Sequence, residues 1–256
     1  MTQRYKLTIA YDGTAYAGWQ VQPVLPSVQQ TIEETLQGIV GHPVKIHGSG
    51  RTDRGVHARG QVAHTDLACR MRTESLLRAA NALLPPDIRI LKVTRAKATF
   101  HARKSATSKE YRYTVWNDSV MLPDQRLHMA HAYRPLDLAA MRDAARRFIG
   151  QHDFAAFTAN PQREVPSTVR TIFSFTVTKR GKAIILRVRG NGFLYKQVRS
   201  MAGFLLRVGD GAEPPDAVTA LLDTPEPRTA RVPTAAACGL FLWQVWYAGK
   251  KADPRC

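Results

Sequence analysis

Twice along the chain an alternating apolar pattern gives way to a helical one, and that succession limits the fold more than any other feature of the sequence. KLTIAY, Lys6–Tyr11, sets Leu7, Ile9 and Tyr11 at every second position, the spacing of a half-buried strand. Val28, Ile32, Leu36 and Ile39 then recur at helical spacing, behind Ser27 and Gln30 as a capping box and ahead of Gly41 as a stop. A glycine-rich loop, the strand GQVAHTDL, a helix over Glu74–Leu84 ending at Pro85-Pro86, and the strand DIRILKV complete the first half. The second half repeats the plan. KEYRYTVW reads as a strand, and Asp137 caps a helix with Leu138, Met141, Ala145 and Phe148 on one face and Gly150 at its close. Phe173, Phe175 and Val177 alternate with Ser174, Thr176 and Thr178, and the turn at Lys179–Gly181 joins them to AIILRVR as a hairpin. A further helix carries Leu194, Val198, Met201, Leu205 and Val208 on one stripe and Lys196, Arg199, Gly203 and Arg207 on another, before GLFLWQVWY as a buried closing strand.

Hairpins with few crossover units predict an α+β fold of two similar halves, mainly antiparallel sheet with helices on one side. The basic connector His101–Lys109 predicts a division into residues 1–104 and 105–256.

The charge balance narrows the partners. Thirty-seven Lys+Arg against 20 Asp+Glu give a formal +17, which implies a polyanion, most simply nucleic acid bound with counterion release. No segment is apolar enough to span a bilayer or to act as a signal peptide. Cys69, Cys238 and Cys256 are odd in number, far apart and in no CxxC pair. They predict a reducing, cytoplasmic setting without a disulfide or zinc framework.

Chemistry concentrates in SGRTDRGVHARG, Ser49–Gly60, where a single carboxylate, Asp53, stands among Arg51, Arg54 and Arg59 and three glycines. A dinucleotide fingerprint fails because Asp53 occupies the third glycine position, where it would repel a pyrophosphate. A Walker loop fails because Val56 follows Gly55 in place of lysine, so no nucleotide cofactor is expected. His47, His57 and His64 are not spaced as metal ligands, His128 and His131 stand as a lone pair, and no GxSxG elbow is present. An aspartate flanked by guanidiniums is favoured as the anion, which suits a carboxylate nucleophile or weak base. The arginines suit bidentate contacts to phosphate. A turn aspartate paired to a neighbouring arginine for rigidity explains the spacing equally well.

RTDRGVHA, Arg51–Ala58, resembles the active-site motif G-R-T-D-x-G-V-H-A of the tRNA pseudouridine synthase A family. AYDGTAYAGWQVQP, FHARKSA, KEYRY, GNGFLYKQVRSMAG and PTAAACGLFLWQVWY resemble further family segments in the same order, so the likeness spans nearly the whole chain. Two positions depart from it: Arg54 replaces a frequently small residue, and Ala236-Ala237-Cys238 replaces a Pro-Ala-His-like run. The resemblance implies the pseudouridine synthase fold, with the sheets joined into one continuous sheet, helices on the outer faces and a central basic cleft. It implies an isomerase that needs neither metal nor cofactor, acts on uridines of the tRNA anticodon stem-loop, and works as a homodimer with tRNA spanning both subunits. Asp53 is then the catalytic nucleophile or base, Tyr111 stacks on the target base with a possible part in proton transfer, and Arg199 pairs with Asp53. Arg51, Arg54 and Arg59 bind substrate, and Arg103, Lys104, Lys109 and Arg112 are further candidates for the tRNA backbone. From the residues alone, Tyr113 rivals Tyr111 on the same side of its strand, and Arg199 reads as a basic residue on a solvated helix face. The rival functions are a non-catalytic RNA-binding or chaperone protein and a pseudouridine synthase acting on another RNA.

Overall fold

The computed structural model describes residues 2–69, 71–159, 166–224 and 226–248; Cys256 lies outside them. The chain divides into two compact units, residues 1–107 with 241–256, and residues 108–240. The closing strand, placed in the second half by its position in the sequence, therefore belongs to the first unit.

The first unit is built on β1 (Gln3–Tyr11), α1 (Val28–Val40), β2 (His47–Gly48), β3 (His57–Leu67), α2 (Thr73–Leu83) and β4 (Ile88–Arg95). It is completed by the chain's last strand, Leu240–Tyr247. The strands run in the order β4, β1, β3, closing strand, with β2 on β3. β1 pairs antiparallel with β3 and β4, whereas the closing strand runs parallel to β3 through Phe241 opposite His57. Tyr5, Leu7, Ile9 and Tyr11 all point into the core, as the alternation requires. On α1, Val28, Ile32 and Leu36 are fully buried while Ile39 is half-buried. Ser27 Oγ accepts from the Gln30 amide at 3.3 Å, but the Gln30 side chain donates to Glu34 Oε1 instead of returning to Ser27. Only half of the expected capping box forms, because the bond to Glu34 one turn along turns the Gln30 side chain away from the Ser27 N–H that its oxygen would accept from.

The second unit contains β5 (Ala106–Asn117), β6 (Ala130–Ala132), α3 (Leu138–Arg147), β7 (Gly150–Asp153), β8 (Val169–Arg180), β9 (Ala183–Gly190), α4 (Gln197–Gly209) and α5 (Ala217–Asp223). We number the closing strand β10. The order β5, β9, β8, β7 is antiparallel throughout, with the short β6 parallel to β5. Asp137 accepts from the amides of Ala139 and Ala140, which starts α3. β8 departs from the expected alternation. A bulge between Ile172 and Ser174 puts Ile172, Phe175 and Val177 inside and leaves Phe173 exposed. α4 is buried on most of its circumference, including Gln197, Ser200, Gly203 and Phe204, and so presents more than the single expected stripe to the core.

Among the described residues, then, ten strands and five α-helices form an α+β fold with mostly antiparallel pairing. No helix among the described residues is long and apolar enough to cross a membrane.

Candidate active site

The Asp53 turn links β2 to β3 and is held from beneath by residues 11–19. Thr52 Oγ1 lies 2.8 Å from the Tyr11 hydroxyl, and the Trp19 amide donates to the Thr52 carbonyl at 3.1 Å. Burial pushes the Tyr11 phenol well above its ordinary range, so the hydroxyl stays protonated and serves as a fixed partner. Gly18, at φ +104°, lets its backbone press against the turn: a Cβ there would sit 2.6 Å from the Thr52 carbonyl oxygen. The Val56 amide closes the turn on the Asp53 carbonyl at 3.1 Å, with Gly55 at φ +74° between them. The entrance is fixed separately. Ser49 donates its amide to Val62 O at 2.7 Å, its hydroxyl bonds Gln61 Oε1 at 2.7 Å, and Gln61 Nε2 donates to Gly50 O at 2.9 Å.

This scaffold leaves Asp53 half-buried and Arg51, Arg54 and Arg59 exposed. Neither Arg51 nor Arg54 forms an ion pair or hydrogen bond with another described residue. The neighbouring-arginine explanation of Asp53 is therefore overturned: Tyr11, Gly18, Trp19 and Gln61 supply the rigidity, and the guanidiniums face solvent. Tyr11, Gly18 and Trp19 lie in AYDGTAYAGWQ, where pattern marks no bracing role, and Gln61 lies within β3, where it reads only as a strand residue.

In the second unit, Tyr111 and Tyr113 separate clearly. Tyr113 is 1% exposed and its hydroxyl donates to Ala236 O at 3.0 Å, a tie that makes it a structural tyrosine. Burial pushes its phenol up as well, with the neighbouring Cys238 adding to the shift. Tyr111 is 7% exposed and meets the ring of Phe193 edge-on at 5.2 Å. Phe193 belongs to the GNGFLYK loop between β9 and α4, so that loop shapes the tyrosine's surroundings.

Arg199 is not on a solvated face. It is half-buried on the first turns of α4, where its Nε donates to Ala235 O at 2.8 Å and its carbonyl accepts from the Ala235 amide at 3.1 Å. One turn on, a Cβ at Gly203 would lie 2.3 Å from Pro233 O, so the 233–235 segment packs flat against the helix. Arg231 fixes that segment by a two-pronged pair with the buried Glu213, Nη2 to Oε2 at 2.6 Å. Arg231 holds the Glu213 carboxyl below its usual range. Arg228, half-buried nearby, donates Nε to Val232 O at 2.6 Å, and burial lowers its pKa with help from the Arg199 charge. Of the further backbone candidates, Arg112 pairs with Glu110 at 2.7 Å, while Arg103 and Lys104 are exposed.

Asp53 and the three loop arginines thus belong to the first unit, and Tyr111 and Arg199 to the second. The first unit offers a half-buried carboxylate on a braced turn with exposed guanidiniums beside it; the second offers an aromatic with a hydroxyl and an arginine anchored through Nε.

A family model described as tRNA pseudouridine synthase matches residues 7–103 and 144–248. A tRNA pseudouridine synthase A of Pelobacter propionicus is 46% identical over 242 residues, 94% of this chain and 98% of that protein. One of Maridesulfovibrio salexigens is 44% identical over 247 residues, 96% of this chain and 90% of that protein. One of Geotalea uraniireducens is 45% identical over 245 residues, covering 96% of this chain and all of its own length.

Proposed function

Since this chain belongs to the tRNA pseudouridine synthase family, we propose that it converts uridines of the tRNA anticodon stem-loop to pseudouridine, with Asp53 as the catalytic carboxylate. The reaction breaks the bond between uracil N1 and ribose C1′, turns the base, and joins C5 to C1′. The C5 proton leaves and N1 gains one, so reactant and product have the same composition. Asp53 attacks C1′ or takes the C2′ proton; both routes need an ionised carboxylate close to the ribose. Tyr111 stacks on the displaced base, its hydroxyl placed for proton transfer, and Arg199 pairs with Asp53. Arg51, Arg54 and Arg59 take the flanking phosphates. The enzyme acts in the cytoplasm as a homodimer, with one tRNA reaching both subunits.

The observation that carries this reading is the division of labour in the Asp53 turn. Tyr11, Gly18, Trp19 and Gln61 brace its backbone, and the turn presents a carboxylate in a basic surrounding where a pure binding surface would have no use for it. The test is pseudouridine mapping by carbodiimide and primer extension on an unmodified tRNA transcript. Wild type should give stops in the anticodon stem-loop. Asp53→Asn should give none while binding tRNA as tightly or more tightly, because a negative charge has been removed. Substantial product from Asp53→Asn would sink the assignment.

A further inference from the structure

The first unit's sheet has a second face, and its residues are unlike those of the core. Leu7 and Ile9 point to the buried side, so Lys6 and Thr8 point to the other, where the register sets Val62, Lys92 and Thr94 beside them. Residues 96–105 cover one end of this face. The Ala102 amide donates to His64 Nδ1 at 3.2 Å, the Tyr247 hydroxyl donates to Ala102 O at 2.7 Å, and Phe100 packs on Tyr247 at 5.0 Å. The other end remains open as a groove of about 430 Å³, with Trp243, Trp246 and Tyr247 of β10 along one wall.

Three cations line the groove, Lys6, Arg59 and Lys92, and no carboxylate does. The Lys6 ammonium lies 3.9 Å from the centre of the Tyr247 ring. Arg59 and Lys92 are exposed, and their side chains form no ion pair or hydrogen bond with another described residue. Self-association through this face about a twofold axis would set cation against cation. Cations for phosphate interleaved with aromatic rings for bases are the chemistry of a single-stranded or splayed nucleic acid.

We propose that this groove is a second RNA-binding site, taking substrate nucleotides outside the reacting one. The inference rests on the tRNA reading above. β3 leads from the Asp53 turn into the groove, at roughly 3.3 Å per residue, so the site begins a few nucleotides from the reacting uridine. Phosphates lie against Arg59 and Lys92, and a base packs on the tryptophan wall.

The experiment titrates salt against binding of an unmodified tRNA transcript for Lys92→Glu, Lys92→Ala and, as a matched charge reversal on the exposed face of α2, Arg78→Glu. Each groove variant should weaken binding by roughly tenfold and lower the slope of log affinity against log salt by about one; Arg78→Glu should change neither by more than about twofold. Groove variants indistinguishable from Arg78→Glu would overturn the proposal. It is also overturned if they dissociate a wild-type oligomer in sedimentation while tRNA affinity holds, since the face would then join two copies of the chain. Wild-type pseudouridine formation is followed on the same transcript: loss of the isomerase reading shows in wild type, and loss of this one only in the variants.

Discussion

Gly18→Ala separates the support of Asp53 from its chemistry. Gly18 has φ +104°, where a non-glycine residue is strained by about 1–3 kcal/mol. Its new Cβ would lie 2.6 Å from Thr52 O and 3.0 Å from the Asp53 carbonyl carbon. Ordinary contact begins near 3.4 Å, so the Thr52–Asp53 peptide must withdraw by about 0.8 Å. That movement loosens the 3.1 Å bond from the Trp19 amide, worth about 1 kcal/mol. Together these predict a loss of roughly 2–4 kcal/mol in unfolding free energy, measured by urea denaturation. A reacting group displaced by close to 1 Å loses on the order of 100-fold in rate, so single-turnover pseudouridine formation at saturating tRNA should fall by about 30- to 100-fold. Affinity should change less than rate, because Arg51 and Arg54 are exposed and their long side chains follow a backbone shift of that size. Gly41→Ala is the control: φ is +73° with nothing within 4 Å, so it brings backbone strain of about 1 kcal/mol and no change in rate. If the two alanine variants behaved alike in both assays, Gly18 would have no part in holding the turn.

Tyr111→Phe keeps the ring and loses the hydroxyl; RNA binding should survive while turnover drops about 100-fold, whereas Tyr113→Phe, which breaks the bond to Ala236, should lower stability by about 1 kcal/mol with a smaller kinetic effect. The net charge of +17 predicts log affinity for tRNA falling with log salt at a slope of about −3.5 or steeper if roughly five phosphates are neutralised, measured by filter binding; a flat response would detach the basic charge from RNA. His64 predicts an acid-labile first unit. Burial, then the neighbouring His101, His47 and Arg4, push it down to about 4 from an ordinary 6.5. The unfolded chain thus binds the extra proton between these values, so stability is full above about pH 6.5 and is lost as pH falls toward 4, by about 2 kcal/mol once relaxation is allowed. His64→Gln should flatten that part of the thermal-unfolding profile.

Local pattern carried the elements whose surroundings are themselves local. β1 and α1 were legible because one face of each meets a single core, and period alone decides which residues go inward. Phe173 was not, because one bulged residue shifts the phase of a strand and leaves no mark in the alternation. The parallel pairing of β10 with β3 joins residues nearly two hundred positions apart, which periodicity does not encode. At the site, Asp53 stood out as an acid among arginines, but its supports did not: Gly18 and Trp19 act through a backbone contact and an amide. Arg199 looked solvated because the segment that covers it, 233–235, is ordered by the distant Glu213–Arg231 pair.

The late arrival of β10 bears on how the protein is made. β3 starts just after the Asp53 turn, and its neighbour on one side is supplied by residues 240–247, with Phe241 stacked 4.6 Å from His57. A ribosome adding about 5–20 residues per second needs roughly 7–28 s to go from the last residue of the first stretch, 107, to the end of that strand. Throughout that interval the start of β3, at His57 and Ala58 beside the turn, has an unpaired edge, the kind of template that recruits foreign strands. The half of the enzyme synthesised first is therefore the last to be finished, and any chain released before residue 241 leaves the Asp53 unit open at its edge.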